Sequence, residues 1–274
     1  MSLHADPFPG LAGLDITDRP SPNHDERPGG VRPDMVVLHY TGMPTAEVAI
    51  DWLADTASRV SAHWVVDEAG RLTRMVAEDR RAWHAGVSYW RGQERLNDVS
   101  IGIEIVNPGH EWGYRTFPEP QMAAVERLLA DILARHDIAP ERVVGHSDIA
   151  PARKFDPGER FDWYRLAAKG LALMPAARPV IGEMGLTLQE GDAGPAVADI
   201  QRGLAAIGYR IDVDGVYDAV TRAVVHAFQS RFLGLAGGIC DPATAQTVFA
   251  VARLFDSAPR AGGGDVGHAW SLTD

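Results

Sequence analysis

Three residues able to bind a divalent metal stand far apart in this 274-residue chain, each at the end of a strand-like run or inside a loop. His39 lies in the apolar run Met35-Val36-Val37-Leu38-His39-Tyr40, which reads as a buried strand. His146 closes Arg142-Val143-Val144-Gly145-His146, a second short strand, and Asp156 follows ten residues later in the loop G-H-S-D-I-A-P-A-R-K-F-D-P-G at 145–158. Two imidazoles and one carboxylate leave a fourth position open on a tetrahedral zinc, as a hydrolytic metal requires for its water. Glu104 could take a proton from that water, and Lys154 could place a cation beside a developing oxyanion. Spacing alone leaves the structural reading open, because a lone histidine is more often a hydrogen-bonded core residue than a ligand.

The elements that would position these groups follow from periodicity. Ser100–Val106 alternates cleanly: Ile101, Ile103 and Ile105 share one face, and Ser100, Gly102 and Glu104 share the other. Glu104 thereby points away from the isoleucines, toward a cleft. Residues 45–57 carry helical spacing with Thr45 as N-cap, and 120–136 repeats Met122, Val125, Leu128, Leu129 and Ile132 as an amphipathic helix opened by Pro120. Runs 62–67 and 71–76 flank Glu68-Ala69-Gly70 as a hairpin with its glycine at positive φ. Strands alternating with helices predict an α/β domain in which mixed strand directions stay possible. Residues 1–33 lack sustained periodicity and read as an irregular arm.

A linker is expected around 170–182, followed by a near-repeat. Gly215, Asp218 and Thr221 recur as Gly238, Asp241 and Thr244, each displaced by 23 residues. Each copy reads as a glycine turn entering a helix capped by Asp or Thr. Helical runs 197–207, 221–232 and 244–254 then make a small three-helix domain. The domain boundaries expected are 1–176, 177–256 and a flexible tail at 257–274.

Composition bounds the function. With 26 Lys and Arg against 37 Asp and Glu the net charge is −11, which argues against nucleic acid as a partner. The single cysteine, Cys240, excludes an internal disulfide and a thiolate zinc cluster. No apolar run reaches the roughly 18 residues of a membrane-spanning helix. The N-terminus has no signal-peptide pattern, so a cytoplasmic location is expected if the chain is complete and the periplasm if it is exported.

Five segments together carry a resemblance: L-H-Y-T at 38–41, S-A-H-W at 61–64, A-W-H-A-G at 82–86, N-D-V-S-I-G-I-E-I-V-N at 97–107 and the 145–158 loop. They resemble the zinc-dependent N-acetylmuramoyl-L-alanine amidases of the amidase-2 family, in its AmpD/AmiD branch. L-Q-E-G-D-A-G-P-A-V-A-D-I-Q-R-G-L-A-A-I-G-Y at 188–209 is similar to a peptidoglycan-binding three-helix module. The resemblance implies a mixed central β-sheet flanked by helices, like peptidoglycan recognition proteins and T7 lysozyme, plus that module. It implies one zinc ion held by His39, His146 and Asp156, with Glu104 and Lys154 catalytic. The implied substrate is peptidoglycan or muropeptide, cut between N-acetylmuramic acid and L-alanine. His84 and Trp83 would line the substrate groove; Asn97 would contact peptide or orient a loop. Arg153 would meet a peptide carboxylate or solvent. Asp148 is expected to cap or support a ligand without touching metal. Oligomeric state, and the choice between intact wall and anhydro-muropeptide, stay open at this stage.

Overall fold

A computed structural model describes residues 8–176 and 185–257. In chain order the elements are β1 (Ile16–Asp18), β2 (His24–Glu26), β3 (Met35–Tyr40), α1 (Ala46–Ala54), β4 (Trp64–Val66), β5 (Leu72–Arg74), β6 (Arg80–Ala82), β7 (Tyr89–Trp90), β8 (Gln93–Glu94) and β9 (Ser100–Ile105). There follow α2 (Gly109–Trp112), α3 (Glu119–His136), β10 (Val143–Gly145), α4 (His146–Ile149), α5 (Trp163–Ala167), α6 (Pro195–Ile207), α7 (Ala219–Phe232) and α8 (Pro242–Ser257).

The central sheet runs β1-β5-β4-β9-β3-β10, and it is mixed: β4 and β5 form the antiparallel hairpin, while every other neighbouring pair is parallel. Gly70 takes φ 83° in that hairpin turn. The isoleucines of β9 alternate inward as the sequence indicates, and with Val36 and Leu38 they join Val125, Leu128 and Ile132 of α3 in one core. Helix α1 starts where Thr45 accepts a hydrogen bond from the Val48 amide. Its Leu53 covers Val65 on the opposite face of the sheet, where β4–β9 register sets Val65 beside Glu104.

The structure corrects the reading of 1–33 as an arm without elements. Strand β1 pairs with β5 at the sheet edge and β2 pairs antiparallel with β6. Three-residue strands are too short to leave a periodic signature, and backbone pairing rather than side-chain patterning holds them. His146 is also not a strand residue but the first residue of α4.

Three helices, α6, α7 and α8, make the C-terminal unit. The repeated turns are built alike: Asp218 Oδ1 accepts from the Thr221 amide and Asp241 Oδ1 from the Thr244 amide, each at 2.7 Å. Gly215 and Gly238 sit at φ 75° and 80°. Their amides donate to Gln201 Oε1 and Gln229 Oε1, both at 2.8 Å. No helix among the described residues is long and apolar enough to cross a membrane. The expected 257–274 tail beyond Ser257, and part of the expected linker, lie outside the described residues.

Candidate metal and catalytic site

Parallel pairing brings the chemistry to one edge of the sheet. In the β3–β9 register His39 lies opposite Glu104, so both side chains leave the same face near the carboxyl ends of their strands. Strand β10 pairs with β3 on its other side and delivers His146 at its exit. The 145–158 loop folds back so that the Ser147 amide donates to the Asp156 carbonyl at 2.8 Å, which sets Asp156 beside His146. The carboxyl edge of a parallel sheet is where open α/β folds bind ligands.

Three atoms meet there. His39 Nδ1 and His146 Nδ1 are 2.9 Å apart, and Asp156 Oδ2 lies 3.1 Å from the first and 3.0 Å from the second. All three residues are buried.

The outer ring atoms decide where the protons are. Leu96 O can only accept, so the Ser100 hydroxyl donates to it at 2.6 Å. Ser100 Oγ then accepts from His84 Nε2 at 3.2 Å, and His84 Nδ1 accepts from His39 Nε2 at 3.0 Å. His146 Nε2 donates to the Ala85 carbonyl at 3.2 Å. An imidazole that keeps its single proton on Nε2 offers a lone pair at Nδ1, so both inward Nδ1 atoms are placed to serve as ligands.

Burial and the nearby His146 ring push the His39 pKa down to about 4, so its imidazole is neutral at neutral pH. Asp156 presents Oδ2 to the same point. Two lone pairs and a carboxylate facing one point repel each other unless a cation sits between them. Tetrahedral ligands 2.0–2.1 Å from zinc are about 3.3 Å apart, close to the spacing found here. The donor set fits a divalent metal.

Beside this triangle lies a cleft of about 380 Å³, bordered by Glu104, Lys154, Trp52, Trp83, Arg153 and Phe155. Glu104 Oε2 is buried and has no hydrogen-bond partner among the described residues. Burial, with the Asp156 carboxylate adding to it, raises its pKa well above that of an ordinary glutamate, and Lys154 works the other way. Such an oxygen is poised to take a proton.

His84 and Asn97 support this edge from the side of the cleft. His84 borders the cleft and is buried, with one ring nitrogen on His39 and the other on Ser100. Asn97 Oδ1 accepts from the His84 and Ala85 amides at 3.1 and 2.7 Å, which makes it an anchor of that loop. Trp83 lines the cleft with its indole N–H on Asp25, and exposed Arg153 reaches the Val87 carbonyl.

Ser100 and Gly102 were not singled out for the site, although the alternation that placed Glu104 also set them on its face. A Cβ on Gly102 would lie 2.4 Å from His84 Cγ, so only glycine leaves room for that ring. His63 is a buried core histidine, its Nδ1 accepting from the Gly102 amide at 2.9 Å.

Comparison with known proteins places these features in a family. Residues 29–159 match the family model described as N-acetylmuramoyl-L-alanine amidase, and 193–248 match one described as a putative peptidoglycan binding domain. The chain is 37% identical over 210 residues to N-acetylmuramoyl-L-alanine amidase AmiD of Escherichia coli (strain K12), covering 72% of this chain and 74% of that protein. It is 40% identical over 163 residues to 1,6-anhydro-N-acetylmuramyl-L-alanine amidase AmpD of the same organism, covering 53% and 87%. Among solved structures, AmiD from E. coli in complex with anhydro-N-acetylmuramic acid-L-Ala-D-gamma-Glu-L-Lys superposes with a TM-score of 0.69 at 33% identity, covering 84% of this chain and 92% of that one. AmpDH3 from Pseudomonas aeruginosa in complex with anhydromuramic pentapeptide gives 0.64 at 30%, covering 81% and 92%.

Proposed function

The chain belongs to the N-acetylmuramoyl-L-alanine amidase family, and from that premise we propose that it cuts the bond between N-acetylmuramic acid and L-alanine with one zinc ion held by His39 Nδ1, His146 Nδ1 and Asp156 Oδ2. It is an amide hydrolase acting on peptidoglycan or muropeptides. The observation that carries the zinc reading is the convergence of His39 Nδ1, His146 Nδ1 and Asp156 Oδ2 beside Glu104 Oε2, which has no hydrogen-bond partner among the described residues.

Zinc bound there supplies Lewis acidity, polarising a carbonyl and acidifying water toward a pKa of about 7. Glu104 Oε2 accepts the proton of the attacking water as its oxygen bonds to the lactyl carbonyl carbon. The same oxygen returns the proton to the L-alanine nitrogen as the carbon–nitrogen bond breaks. Lys154 brings its ammonium to the charge that develops on the carbonyl oxygen; one such donor is worth about 2.7–4 kcal/mol. His84 holds the His39 ring in the tautomer that leaves Nδ1 free, the usual task of a partner behind a ligating histidine. Trp83 and Arg153 border the groove where substrate would lie. In this reading residues 1–176 form the catalytic domain, 177–256 the wall-binding unit and 257–274 a tail.

The test uses the full chain with a soluble anhydro-muropeptide and with purified sacculi. Mass spectrometry should find peptide beginning with L-alanine and an intact muramoyl sugar, with activity lost to a chelator and restored by zinc. Cleavage inside the stem peptide, or undiminished turnover by metal-stripped protein, would overturn the reading.

A further inference from the structure

A buried ion pair joins the C-terminal unit to the loop that carries two of the three proposed ligands. Asp148, two residues beyond His146, has its carboxylate divided between the two parts of the chain. Its Oδ2 accepts from the Gly145 amide and from Arg231 Nη1, each at 2.7 Å, and its Oδ1 accepts from the Tyr209 hydroxyl at 2.7 Å. Arg231, on α7, also donates from Nη2 to the Val143 carbonyl of β10 at 3.1 Å. Both members of the pair are 1% exposed, with the guanidinium 4.5 Å from the centre of the Trp163 ring.

This contact is not what a wall-binding tether needs. Modules joined by a linker move relative to each other by default unless the interface between them is large and apolar. Here Trp90 meets Tyr209 edge-on at 5.1 Å and Phe255 at 6.3 Å, so aromatic packing surrounds the pair. Burying two charges is costly and is offset only by close geometry and further hydrogen bonds. Asp148 could cap Gly145 without any arginine. What the arginine and tyrosine add is a fixed position for Asp148, and through it for the first turn of α4. That turn begins with His146 and is tied by the Ser147 amide to Asp156.

We propose that the C-terminal helical unit is a working part of the metal site, with Arg231 and Tyr209 as positioning residues that hold Asp148 and so set His146 and Asp156 at ligand spacing. The proposal rests on the reading of His39, His146 and Asp156 as zinc ligands. It makes the C-terminal unit necessary for catalysis on substrates too small to engage a wall-binding surface.

The experiment compares full-length Arg231→Met, Tyr209→Phe and Phe255→Leu with the wild type. The zinc dissociation constant is measured by competition with a chromophoric chelator, and kcat and KM on a soluble muropeptide. Phe255→Leu is the control, since it loosens the same interface without touching Asp148. Tyr209→Phe should weaken zinc binding about tenfold and Arg231→Met up to about a hundredfold, the range for partners behind metal ligands. For both, kcat should fall with KM unchanged, while Phe255→Leu lowers Tm and keeps zinc affinity within about twofold. If Arg231→Met does not fold, Tyr209→Phe decides. Wild-type zinc affinity in Tyr209→Phe, or equal weakening in Phe255→Leu, overturns the proposal. A wild type that binds no zinc at one per chain instead overturns the ligand assignment beneath it.

Discussion

Gly102→Ala should damage a metal site that it does not touch. Its added Cβ would lie 2.4, 2.6 and 2.7 Å from Cγ, Cδ2 and Nδ1 of His84. Ordinary contact between such atoms is about 3.5–4.0 Å, so the ring must retreat by about 1 Å. The bond between His39 Nε2 and His84 Nδ1, now 3.0 Å, would then open to about 4 Å, beyond hydrogen-bonding range. His39 would lose the acceptor that fixes its tautomer and ring plane. Losing such a partner costs about 10–100-fold in metal affinity, or about 1.4–2.7 kcal/mol. Overpacking separately costs about 1–3 kcal/mol of fold stability. Chelator competition and thermal unfolding, both with the zinc-free protein as reference, separate the two. Ser100→Ala, which removes the hydroxyl that holds His84 Nε2 without adding volume, should weaken zinc in the same direction with a smaller loss of stability. If Gly102→Ala lowers Tm while zinc affinity stays within twofold of the wild type, His84 does not govern His39.

Glu104→Gln should keep zinc at one ion per chain while turnover falls about 10²–10⁴-fold, since the amide cannot take the water's proton; metal analysis with kcat checks this, and near-normal turnover would remove Glu104 from the chemistry. Acid sensitivity should trace partly to Glu78, whose carboxylate takes two bonds from Arg135, one from His136 at 2.6 Å and one from the Trp64 indole at 2.8 Å. Burial resists its ionisation, but these donors hold its pKa down at about 2 against 4.5 in the unfolded chain. Its contribution is therefore complete above about pH 4.5 and lost as pH falls toward 2, about 3 kcal/mol in all. The stability gap between wild type and Glu78→Gln should narrow by that amount between pH 6 and pH 2, and parallel curves would refute the assignment.

How much of this was legible in the sequence depended on distance along the chain. The S-I-G-I-E-I alternation of β9 needed only local information, and it placed Glu104 on the cleft face and the isoleucines in the core. The same pattern placed Ser100 and Gly102 beside Glu104, but nothing local says that the ring filling that space is His84, 16 residues from Ser100. The resemblance sets His84 at the groove, but its bond to His39 Nε2 stays invisible until the strand its ring leans on is known. Register is equally invisible. His39 faces Glu104 because β3 and β9 align Met35 with Ser100, a choice made by the whole sheet.

The C-terminal unit shows the same limit from the other side. The 23-residue displacement exposed the paired turns, because glycine, aspartate and threonine each serve a local need. It hid the pair that locks them, Gln201 and Gln229, which are 28 residues apart. Gln201 precedes its turn by 14 residues and Gln229 precedes its own by nine, so no constant offset marks them. The contacts from Tyr209 and Arg231 to Asp148 span 61 and 83 residues and have no periodic trace at all. Long-range polar contacts of this kind depend on how two folded surfaces meet. A sequence that reads as an enzyme followed by a separate anchor can therefore fold with the anchor's side chains built into the support of the metal loop.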